Sequence, residues 1–104
     1  MSTEQRQRWV ERCKNQLQAR RNVIELGASI DQFACEIEQH LADMEKLREE
    51  IAEADGKLPE HRLRHMRARL EGHRGRVARC RALIGQQHDE IALYRAILDG
   101  IERA

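Results

Sequence analysis

The sequence predicts an all-α protein: a long antiparallel two-helix coiled-coil hairpin that assembles into a dimeric four-helix bundle. Three observations predict it. An apolar seam of unbroken 3-4 spacing runs from Leu63 to Ile101, one strong interruption stands at Asp55-Gly56-Lys57-Leu58-Pro59, and the segments flanking that interruption carry opposite charge.

The first helix is expected over residues 3–54, a stretch with no proline. From Ile30 onward its apolar residues keep a clean 3-4 spacing; before that they spread over a wider face. Gly27-Ala28-Ser29 interrupts the pattern and predicts a kink in one long helix rather than a break, with Ser29 and Gln32 placed for a capping box. The loop is expected at 55–59, where glycine after one helix and proline at the start of the next are ordinary stop and start signals. A link this short suits an antiparallel hairpin.

The second helix, 60–103, carries the seam Leu63, Met66, Leu70, His73, Val77, Cys80, Ile84, Gln87, Ile91, Tyr94, Leu98, Ile101. Its first heptad positions are all Leu, Val or Ile; His73 and Gln87 are the polar members of the second set. Gly72, Gly75 and Gly85 fall off the seam, so each weakens the helix by about 1 kcal/mol without denting the contact face.

Charge tests the fold independently. Residues 31–55 hold nine acids and two bases, while residues 60–81 hold eight arginines and only Glu60 and Glu71 as acids. Pairing Ile51 with Leu63 sets layers of Met44 with Leu70, Leu41 with His73, Ile37 with Val77, Ala34 with Cys80 and Ile30 with Ile84. That register is expected to set Glu45 by Arg67, Glu38 by Arg74 and Asp31 by Arg81. Exposed pairs contribute only about 0–1 kcal/mol each, so their expected use is in fixing register. A parallel homodimer of the second helix would instead oppose Arg62 to Arg67, Arg69 to Arg74 and Arg76 to Arg81, which excludes a simple leucine zipper.

The opposite flank is apolar. Ala19, Leu26, Phe33 and Leu47 of the first helix fall beside Leu83 and Ile97 of the second, with His40 and Glu90 among them. An isolated hairpin has nothing to cover such a stripe, so these residues are expected to form a protein interface centred on the half nearer the termini.

Composition limits the rest. The chain has 104 residues, 36% of them charged and 3% aromatic, with a net charge of +1. That bounds it to one domain, suits long helices, and argues against attachment to nucleic acid or membrane by bulk charge. No apolar run nears the roughly 18 residues of a membrane span, and Met1-Ser-Thr-Glu-Gln-Arg lacks the apolar core of a secretory signal. Cys13, Cys35 and Cys80 are odd in number and scattered, which predicts free thiols and a cytoplasmic setting, compatible with a bacterial protein. Cys35 and Cys80 read as small seam thiols that approach each other.

No cofactor and no metal are expected. His61 and His65 have metal-ligand spacing but sit among Arg62, Arg64 and Arg67, and read as solvated surface histidines. His40 and His73 fall in adjacent layers and read as a partnered seam pair, with too few ligands nearby for zinc or haem. There is no Gly-rich phosphate loop and no nucleophile elbow, so catalysis is not expected.

The functional expectation is a non-enzymatic protein–protein interaction module: an adaptor, scaffold or chaperone-like subunit, with a second copy or another helical protein as partner. Its shape is similar to that of the stalk and chaperone hairpins of bacterial secretion and flagellar export. The alternative is a dimeric RNA- or DNA-binding regulator using Arg64, Arg69 and Arg76. In shape alone it resembles the Rop family of plasmid copy-number regulators.

Overall fold

The computed structural model describes residues 2 to 103 and contains two helices, α1 (Thr3–Ala54) and α2 (Glu60–Arg103), packed as a helical hairpin. None is long and apolar enough to cross a membrane among the described residues. α1 opens with a reciprocal capping box. The Ser2 hydroxyl accepts from the Gln5 amide at 3.2 Å while the Ser2 amide donates to Gln5 Oε1 at 2.9 Å, so two N-terminal donors are satisfied. α1 then continues through Gly27-Ala28-Ser29 without a break. The box expected at Ser29 does not form; that hydroxyl is engaged by α2 instead.

The turn follows its residue chemistry. Asp55 and Gly56 both take left-handed backbone, at φ of 47° and 74°, which ends α1. The Asp55 and Lys57 amides return to the Ala52 and Ala54 carbonyls, and the Pro59 carbonyl accepts from both Arg62 and Leu63 as α2 starts. Proline costs nothing there because a first-turn amide has no helical acceptor.

The chain divides into two compact units. One is Asp31–Ile84 and holds the turn. Its core is Met44, Leu47, Met66 and Leu70, with Ile51 and the loop residue Leu58 packed against it. Burying each such side chain is worth about 1.5–3 kcal/mol. The other unit joins the residues up to Ile30 with those from Gly85 onward. There Ala19 and Ile91 are buried, Leu26, Tyr94, Leu98 and Ile101 are half-buried, and Arg20 meets Glu102 at 3.6 Å.

Every expected seam residue of α2 is buried or half-buried. α1 differs from the expected register in one respect. Ile51, Met44, Ile37 and Ile30 are on the covered side as expected, but Leu41 (42% exposed), Ala34 and Arg48, which the same 3-4 spacing sets between Met44 and Ile51, lie outside it. Their places are taken by Leu47 (3% exposed), His40 and Phe33. α1 is therefore turned by about half of one residue's step, roughly 50°. Burial explains the choice. The expected face would enclose Arg48 and Ala34 where the observed one encloses Leu47 and Phe33; only Leu41 for His40 runs the other way, and His40 gains a partner in α2.

Candidate functional site

The turn of α1 moves the residues expected to face a partner. Ala19 and Leu47 are buried, and Leu26, Phe33 and Leu83 are half-buried. Leu47 is consumed by the Asp31–Ile84 core. Of the six expected interface residues, Ile97 alone is exposed.

The same rotation separates the expected ion pairs. Asp31, Glu38 and Glu45 make no salt bridge to Arg81, Arg74 and Arg67 within 4.0 Å among the described residues, and all six side chains are exposed. Turning Leu47 and Phe33 inward carries these acids toward the back of α1. Arg74 pairs instead with Glu71, and Arg64 with Glu60, both within α2. The remaining members of the arginine block, Arg62, Arg67, Arg69, Arg76, Arg79 and Arg81, are exposed and carry no salt bridge among the described residues.

Acids that the rotation does bring to the seam edge are Glu36 and Asp43, about one turn before and one turn after His40 on the face that carries it. His40 Nδ1 lies 2.9 Å from His73 Nδ1, with ring centroids 5.1 Å apart and planes tilted by 53°. At that distance one ring donates its Nδ1–H and the other accepts. Asp43 stands three residues after His40 on the same helix face; a carboxylate oxygen of Asp43 and a ring nitrogen of each histidine all lie within 4.8 Å of one another. All three residues are half-buried. Gln39 Nε2 donates to Asp43 Oδ1 at 3.1 Å, which holds that carboxylate in place.

One turn further, the Cys80 thiol donates to Glu36 Oε2 at 3.6 Å. Burial pushes the Cys80 thiol above its ordinary value, and the hydrogen bond and negative charge of Glu36 push it the same way, against a smaller opposing effect of Arg79. Cys35 is exposed and Cys80 buried, both as free thiols, so the partner of Cys80 is the carboxylate and not the other cysteine. His61 and His65 are exposed.

In the other unit, Gln87 Nε2 donates to Ser29 Oγ at 2.8 Å, while Gln87 Oε1 is buried without a partner. A cleft of about 270 Å³ beside the pair is lined in part by Asn22, Leu26, Glu90 and Tyr94. The sequence exposed His73 and Gln87 as seam positions. It hid Ser29, Glu36 and Asp43, whose involvement depends on how far α1 is turned.

The apolar surface that is left lies largely in the unit nearer the chain ends. Of the large apolar side chains exposed among the described residues, Trp9, Val10, Leu17, Ile24, Leu93 and Ile97 belong to it, and Leu41 alone belongs to the other. Val10, Leu17 and Ile24 recur at intervals of seven on α1, with the half-buried Cys13 between the first two. Comparison with protein-family models, with curated proteins and with solved structures finds no match for this chain.

Proposed function

We propose that the protein is a non-enzymatic helical interaction module, an adaptor, scaffold or chaperone-like subunit, whose docking surface is the Val10–Leu17–Ile24 stripe of α1. The observation that carries this is exposure at heptad spacing: 37%, 57% and 71% for three branched apolar side chains on one helix face. Single exposed apolar residues are ordinary, but a repeat every seven residues is the pattern a partner helix reads. The partner is a second copy, giving a homodimeric four-helix bundle, or another protein's amphipathic helix.

Light scattering at tens of micromolar protein tests the first form, and Leu17→Asp with Ile24→Asp tests the stripe itself. The double variant should keep its helicity and lose assembly or partner capture. A variant that assembles and binds as the parent does would remove the basis for this surface. Phe33→Asp is a contrasting control: it places a charge in the seam and should unfold the hairpin rather than dissociate a complex.

A second reading is binding to a nucleic-acid backbone through Arg64, Arg69 and Arg76. It is favoured by Arg69 and Arg76, which with four other arginines of the block have no carboxylate within salt-bridge distance among the described residues; Arg64 meets Glu60 at 3.8 Å on the exposed surface. Such binding falls steeply with salt, because each neutralised phosphate releases counterions. Changing Arg64, Arg69 and Arg76 to Glu should abolish it and leave protein docking intact. Affinity for RNA or DNA that is unaffected by those changes would end this reading.

A further inference from the structure

We propose that His40, Asp43 and His73 form a binding site for one divalent transition metal ion of the zinc class, clamping α1 to α2. The three side chains come from both helices, and their ligand atoms lie within 4.8 Å of one another. Zinc bonds imidazole nitrogen at about 2.0–2.1 Å in tetrahedral geometry, which sets two ligating nitrogens roughly 3.3 Å apart. The two Nδ1 atoms stand at 2.9 Å, so the rings need to separate by only a few tenths of an ångström to admit the ion. The ring that donates the interhelical hydrogen bond then carries its proton on Nε2, and both Nδ1 lone pairs turn to the metal.

Asp43 is the third ligand, and the sequence pattern concealed it. On the expected face of α1 it lies away from the seam; the observed rotation brings it to the edge beside His40. Gln39 holds Oδ1 by a hydrogen bond, an outer partner of the kind that orients ligating carboxylates and leaves the second oxygen for the ion. Half-burial of all three residues leaves a path for entry and room for water as the fourth ligand. Two imidazoles with one carboxylate suit zinc, cobalt or nickel, not magnesium or calcium, which take oxygen ligands. Arg69 and Arg76 flank His73 along α2 and share a small cleft with it, so their charge lowers the affinity. Both are exposed and screened by solvent, and neither occupies the ligand positions.

The test uses the full chain, stripped with chelator and titrated with zinc alone, then with cobalt as a coloured probe. Expected are one ion per chain, a cobalt absorption band of tetrahedral intensity, and a higher thermal midpoint with zinc, since binding to the folded state alone stabilises it. Imidazole NMR signals of the unmodified chain should move for His40 and His73 and stay for His61 and His65. His73→Gln should weaken zinc binding by at least about 100-fold and Asp43→Asn by at least about 10-fold, since loss of an outer-shell partner alone costs about 10–100-fold. Loss of His61 and His65 together should change nothing. The site is overturned if the His40 and His73 signals do not respond to zinc, if binding follows His61 and His65, or if no ion binds stoichiometrically. The NMR result stands even if a variant fails to fold.

Discussion

Gln87 donates its side-chain amide to the Ser29 hydroxyl at 2.8 Å, bringing a polar residue of each helix together within the seam. The other Gln87 atom, Oε1, is buried without a partner. Polar layers of this kind cost stability and fix alignment.

Losing the Ser29 hydroxyl is expected to hurt more than losing the Gln87 amide group, because a helical serine hydroxyl can turn to a backbone carbonyl one turn back. Ser29→Ala leaves the Gln87 amide unsatisfied and should cost about 1–2 kcal/mol in urea unfolding. Gln87→Leu eliminates the unpartnered acceptor and adds apolar area, and should be neutral or stabilising. A Gln87→Leu loss larger than that of Ser29→Ala would show that the layer is satisfied in solution.

The rotation of α1 is testable by a pair of truncations. Leu47→Ala should cost about 2–5 kcal/mol, the usual range for a buried leucine, and Leu41→Ala less than about 1 kcal/mol. The reverse order in chemical denaturation would restore the face that pairs Leu41 with His73.

Glycine changes should act with opposite signs. A Cβ at Gly72 or Gly75 meets nothing within 4 Å, so Gly72→Ala and Gly75→Ala should each stabilise α2 by about 1 kcal/mol. Gly56 has φ +74°, where a side chain is strained, and Gly56→Ala should destabilise by about 1 kcal/mol. Thermal melts of the three single variants check both signs.

Cys80 predicts a pH dependence. Its folded value is raised above the ordinary 9.0, by burial first and Glu36 second. Above pH 9 the unfolded chain therefore sheds this proton more readily than the folded one, and stability falls as pH rises. Below pH 9 the thiol is neutral in both states and contributes no slope. Cys80→Ala should remove that part of the alkaline loss, and thiol labelling of the parent should proceed faster at exposed Cys35 than at Cys80. Equal labelling rates would contradict the burial of Cys80.

Much of this was legible in the residues. The turn at Asp55-Gly56 and the start after Pro59 follow from local backbone chemistry, which needs no partner. The α2 seam was legible because its 3-4 run is unbroken, while Leu83, Leu93 and Ile97 beside it are too few to set a rival one. α1 carries two overlapping stripes that share Ile30, Ile37, Met44 and Ile51. One is completed by Ala34 and Leu41, the other by Phe33, His40 and Leu47. Periodicity scores them almost equally, so the interface and ion pairs drawn from the first stripe shifted with it.

The sequence by itself determined two helices, their ends, the bend between them and the buried face of α2, because each depends on short-range spacing and turn chemistry. Only the tertiary structure decided which face of α1 is covered, and with it that His40, Asp43 and His73 meet, that Glu36 reaches Cys80, and that Asp31, Glu38 and Glu45 remain in solvent. That choice compares the volume and polarity of whole side chains against the opposing helix, a comparison that exists only once the two surfaces touch.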